Sequence, residues 1–143
     1  MEELATWVAR AVSTHELRHV ADGSVPSCPG CPSSMGSGTR AELSAYVSSI
    51  ATPGIGYLSL MQACHVGAGT ESPHRRALLY LERHLLPEGC TGPPPTDLYA
   101  RAAALEDRLF GPRLRVHLPD DFPQRLDLLE PRPTAVARLT PAR

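Results

Sequence analysis

The sequence predicts an all-α fold: four to five short amphipathic helices in one bundle-like or orthogonal domain, with a Gly/Pro/Cys-rich loop and one short extended C-terminal segment. Three observations carry that expectation. Hydrophobic residues make up 42% of the 143 and aromatic residues only 5%. The core must therefore be built from Leu, Val and Ala, which suits helices better than a sandwich. Apolar residues recur at three- and four-residue steps over most of the chain. These stretches are punctuated by helix starts of the Ser/Thr-Pro or S/T-x-x-E form and by Gly or Pro stops. The length corresponds to one domain, residues 1–130, able to bury a core without compulsory staples.

Leu4, Trp7, Val8, Ala11 and Val12 define the first helix, and Leu17 and Val20 continue its stripe with a small phase shift. Ser13-Thr14-His15-Glu16 has the form of a capping box, so the stretch reads as one helix or as two meeting at Ser13. His15 and His19 stand one turn apart, a spacing that can hold a metal. No acidic or cysteine residue accompanies them on that face, and they read as solvated. Residues 22–38 form a Gly/Ser/Pro-rich connector containing Cys28-Pro29-Gly30-Cys31 and Met35.

A second capping box, Thr39-Arg40-Ala41-Glu42, opens the second helix, whose apolar face is Leu43, Tyr46, Val47 and Ile50. Thr52-Pro53 reads as a cap followed by Pro at the first position of a third helix running through Val66. Its inner face is Ile55, Leu58, Met61 and Cys64, and Gly67 ends it. Ser72-Pro73 repeats the device and opens a fourth helix to about Leu86, with Leu78, Leu81, Leu85 and Leu86 inward. Pro87 stops it, and residues 87–96 form a stiff Pro-rich linker that carries Cys90. The fifth helix spans Thr96 to Phe110, with Leu98, Ala102, Leu105 and Leu109 on one face and Gly111 at its end.

Beyond Gly111 the period changes to two. Leu114, Val116 and Leu118 alternate with Arg113, Arg115 and His117, the pattern of one half-buried strand. A lone strand needs a partner, and these three residues are expected to meet another protein, a second copy across a dimer axis, or the core as an extended arm. Residues 122–129 are expected to form a short helix and residues 131–143 a disordered tail.

Composition excludes several functions. The net charge of −1 supplies no positive field for nucleic acid or acidic membranes. All 14 positive residues are Arg, so Lys-based chemistry is excluded. The missing Lys fits a GC-rich genome, or selection against ubiquitin acceptors. No apolar run approaches a membrane span, and the acidic Met1-Glu2-Glu3-Leu4 start lacks the apolar region of a secretory signal. These features lead to the expectation of an intracellular protein, cytoplasmic or nuclear, whose four cysteines are free or metal-bound in a reducing compartment.

The Cys28-x-x-Cys31 pair is the most concentrated chemistry in the chain. With Cys64, the adjacent His65, His74 or Cys90 it could complete a four-ligand structural zinc site that pins the loose connector to the helical body. The rival chemistry is thiol redox or a metal-assisted enzyme using Cys28 and Cys31. Redox sites of the thioredoxin kind place the first Cys at a helix N-terminus after a strand, whereas Pro32, Gly36 and Gly38 follow this pair. No nucleophile elbow, zincin motif, P-loop or dinucleotide fingerprint occurs. The expected function is a non-enzymatic protein–protein interaction or assembly module, with zinc, if any, as a structural clip.

Ser59-Leu60-Met61-Gln62-Ala63-Cys64-His65-Val66-Gly67-Ala68 resembles the elongin-binding box of cullin-ligase substrate adaptors. Leu118-Pro119 and Phe122-Pro123-Gln124-Arg125-Leu126 look similar to the Pro-containing cullin-selecting segment of the same adaptors. The resemblance implies an elongin partner contacted through Leu60 and Cys64.

Overall fold

Leu43, Tyr46, Val47 and Ile50 give the second helix its apolar face, yet the small residues between them, Ser44, Ala45, Ser48 and Ser49, are also buried. In the computed structural model, which describes residues 2–119 apart from 70, this helix, α2 (Ser37–Ile50), is the axis of the domain. It packs against all four others: α1 (Glu2–Asp22), α3 (Gly56–Gly67), α4 (Pro73–Leu85) and α5 (Leu98–Phe110). A helix surrounded on every side must be apolar or small all round, and Ser and Ala allow that close approach. The core is completed by Leu78, Leu81 and Leu85 from α4 and by Leu98, Leu105 and Leu109 from α5. The fold is all-α with five helices, as expected, and no strand occurs among the described residues. No helix among them is long and apolar enough to cross a membrane.

The helix boundaries show which local signals prevailed. α1 is continuous through Ser13, and Thr14 Oγ1 donates back to the Arg10 carbonyl (2.8 Å) instead of capping a new helix. α2 starts at Ser37, ahead of the Thr39 box, with Gly36 at its cap. Thr52-Pro53 does not open α3. Thr52 Oγ1 donates to the Ser48 carbonyl (2.9 Å), Gly54 takes a left-handed turn (φ +85°), and α3 begins at Gly56. The fourth start is as expected: Pro73 opens α4 and Ser72 Oγ accepts the Arg75 N–H (3.2 Å).

The inner face of α3 differs in part from the expected one. Ile55 is buried and Cys64 packs against the core, but Ser59, Leu60, Ala63 and Gly67 also point inward, while Met61 is 65% exposed. The cause is proximity to α4: a Cβ on Gly67 would sit 2.6–2.7 Å from Leu78 side-chain atoms, so only the small-residue side of α3 fits there.

The segment after α5 is extended but is not a strand, and its alternation is reversed at the start. Arg113 turns inward and Leu114 is 90% exposed, while Val116 and Leu118 are half-buried. Glu106 explains the reversal. It is 1% exposed on the inner face of α5, and a buried carboxylate requires a charged partner. Arg113 donates to Glu106 Oε1 through Nε (3.1 Å) and Nη2 (2.9 Å), and Arg115 Nη1 donates to Oε2 (2.9 Å). Arg113 Nη1 also reaches Ser44 Oγ on α2 (2.7 Å), and Arg18 on α1 donates to the Leu114 carbonyl (2.9 Å). Residues expected as a short helix and a disordered tail, 122–129 and 131–143, lie outside the described residues.

Glu106→Gln keeps the shape but removes the anion shared by Arg113 and Arg115, leaving Arg113 only the more distant Asp22 (3.6 Å), and breaking a buried pair in this way costs about 3–5 kcal/mol. Urea denaturation is expected to show a loss of that order. Glu71→Gln, at the exposed pair with Arg76, is expected to leave the midpoint nearly unchanged.

Candidate metal centre

The structure pairs the four cysteines within the chain: Cys28 with Cys31 (Cα–Cα 5.3 Å) and Cys64 with Cys90 (Cα–Cα 5.9 Å). This corrects the expectation of free or metal-bound thiols, since Cys28 and Cys31 are not brought together with Cys64, His65 or Cys90 around one centre. The physical reason lies in where each segment docks. Gly30 N–H donates to the Leu109 carbonyl (2.9 Å), and a Cβ at Gly30 would run into the Arg108 carbonyl oxygen, so the Pro-Gly turn lies flat on the end of α5. Cys64 on α3 instead faces the turn after α4 that carries Cys90. The Cys28–Cys31 turn also lacks the setting of a redox centre. It sits at the C-terminal, negative end of a helix, which disfavours a thiolate.

The residues expected to bind a partner are placed less favourably for that role. Leu60 is buried in the core and Cys64 is held in its disulfide, so neither is offered as an elongin-type contact. Leu114, the most exposed of the C-terminal trio, belongs to a segment already tied down by Arg18, Arg113 and Arg115.

The convergent chemistry lies elsewhere, where α1, α2 and α4 meet. His15 and His19 share one face of α1 by their four-residue spacing. Because α2 begins at Ser37, Glu42 lies more than a turn inside it and faces α1 instead of closing a cap. Its Oε2 is 3.4 Å from His15 Nε2 and 3.5 Å from His19 Nε2, and the two Nε2 atoms are 3.2 Å apart. Donor atoms about 2.0–2.1 Å from a tetrahedral zinc stand about 3.3–3.4 Å from one another, so these three atoms already have the spacing of a ligand set. His15, His19 and Glu42 form a mutually adjacent group. His74, which follows Pro73 at the start of α4, brings Nδ1 within 3.1 Å of the same Oε2.

Burial sharpens the site. His15 is 2% exposed, and Glu42 Oε2 is buried with no well-directed hydrogen bond despite its close neighbours. This oxygen has three imidazole nitrogens within 3.5 Å and no well-directed hydrogen bond to any of them, an arrangement that fits a metal ion. His15 Nδ1 also lacks a protein partner. Burial pushes the Glu42 carboxyl up, but the contact with His15 and the charges on His74, His19 and His15 outweigh it and hold its pKa below the ordinary glutamate value. For Tyr46, burial first and then the negative charges of Glu42 and Glu16 raise the phenol well above its usual range. Its hydroxyl therefore keeps its proton, 2.9 Å from His74 Nδ1.

Sequence reasoning recognised the spacing of His15 and His19 but missed Glu42, which it assigned to a cap. The available signal was Glu42 and Tyr46, one turn apart on the next helix, since a face that pairs an acid with Tyr can sit against a face that pairs two His. Comparison with known proteins finds no matching family, no curated relative and no similar solved structure.

Non-reducing peptide mapping is expected to show the Cys28–Cys31 and Cys64–Cys90 links. Closing a loop over a separation of 26 residues constrains the unfolded chain by about 3–4 kcal/mol on the chain-entropy account. The Cys64→Ser, Cys90→Ser double variant is expected to lose stability of that order in urea.

Proposed function

We propose that this chain is a non-enzymatic helical module that binds one divalent transition-metal ion between α1 and α2, through His15 Nε2, His19 Nε2 and the Glu42 carboxylate. One observation carries the reading: the buried Glu42 Oε2 has no well-directed hydrogen bond, yet three imidazole nitrogens face it, those of His15 and His19 at 3.4 and 3.5 Å and that of His74 at 3.1 Å. Two neutral imidazoles and one carboxylate are borderline donors. They suit zinc and its first-row neighbours, whereas calcium and magnesium prefer all-oxygen shells. The zinc role expected of the cysteines thereby passes to a His/Glu set.

Protein purified without chelator and titrated with Zn²⁺ in a calorimeter is expected to bind about one ion per chain. Glu42→Gln and His15→Asn are each expected to weaken binding by at least about 100-fold, with helical circular dichroism retained. Undiminished binding in both variants overturns the proposal.

A further inference from the structure

His74 is the group near the site whose role the three-ligand reading leaves open. Its Nδ1 lies between two oxygens, 3.1 Å from Glu42 Oε2 and 2.9 Å from the Tyr46 hydroxyl. Its imidazole touches the carboxylate of the His15, His19 and Glu42 group without belonging to that mutually adjacent set. The two neighbours differ in freedom. Tyr46 is fully buried, with its ring against His15 (centroids 4.4 Å) and near His74 (5.9 Å), so its hydroxyl is a fixed point. His74 is partly exposed in the first turn of α4.

Resting on the reading above, we propose that His74 is the fourth ligand, and that metal loading exchanges its contact with Tyr46 for a bond to the ion. Three imidazoles and one carboxylate then close a tetrahedral site, and the charge on the ion exceeds that of its single anionic ligand by one. Catalytic zinc sites keep a position open for water or substrate, whereas four protein ligands mark a structural or storage site. The ion would join three helices: α1 through His15 and His19, α2 through Glu42, and α4 through His74. The ligand class is a divalent ion that accepts tetrahedral nitrogen-rich coordination, zinc or cobalt(II), and not one that requires six oxygens.

The test uses Co²⁺ as the probe on the full chain, followed by visible absorption. The wild type is expected to show the intense bands of tetrahedral Co²⁺. His74→Ala and His74→Gln are expected to bind about 10- to 100-fold more weakly and to show only the faint bands of a five- or six-coordinate ion. Tyr46→Phe removes the competing hydroxyl, and is expected to keep the tetrahedral spectrum with affinity equal to or above that of the wild type. Metal-free urea midpoints of all variants report whether each is folded. If both His74 variants keep the wild-type spectrum and affinity, the fourth-ligand inference is overturned and the three-ligand reading stands. If the wild type binds no Co²⁺ at all, both fail.

Discussion

Enclosing α2 on every side removes water from its polar groups, and those groups must then find partners on the surrounding helices. Ser49 solves the problem locally, donating to the Tyr46 carbonyl (3.0 Å). Ser44 cannot. It donates to Asp22 on α1 and accepts from Arg113 beyond α5, so one small hydroxyl joins three elements. Glu42 is the larger version of the same constraint: a charge on the first part of a central helix, facing two histidines of α1 and one of α4.

Two of the buried carboxylates among the described residues, Glu106 and Glu42, are met in opposite ways. Glu106 is saturated: both oxygens accept charge-assisted bonds from guanidinium groups that remain cationic at any working pH. Nothing is left for a ligand to do there, and the cluster acts as a rivet between α5, α2 and the segment that follows. Glu42 is surrounded by imidazoles, whose charge is conditional, and its Oε2 lacks a directed hydrogen bond. That contrast separates a saturated ion pair from the carboxylate on which the metal-binding proposal rests.

The helical architecture was legible because each helix carries its own amphipathic stripe and most carry punctuation. Ser72-Pro73 and Gly111 mark boundaries that the structure keeps. Thr52-Pro53 and the Thr39 box mislead, since Thr52 can satisfy its hydroxyl on the preceding turn and Gly36 tolerates an earlier start. The face of α3 was misread in part because Met61 is apolar yet exposed, while three of the inner positions, Ser59, Ala63 and Gly67, are small. Small-residue packing against Leu78 leaves no hydrophobic signal. Arg113 and Leu114 exchanged their expected sides because a buried Glu106, invisible to periodicity, needs its partner more than Leu114 needs burial. At the site, the His15–His19 spacing was visible in the chain. The arrival of Glu42 was not, since it depends on how two helices cross.

The account stands on the identity of the donor atoms around the ion, which separates the His/Glu centre from any cysteine-built clip. X-ray absorption at the zinc edge of the loaded protein measures this directly. Nitrogen and oxygen scatterers at about 2.0–2.1 Å, with imidazole outer-shell features and no sulfur, are the predicted result. A sulfur shell at about 2.3 Å would contradict it.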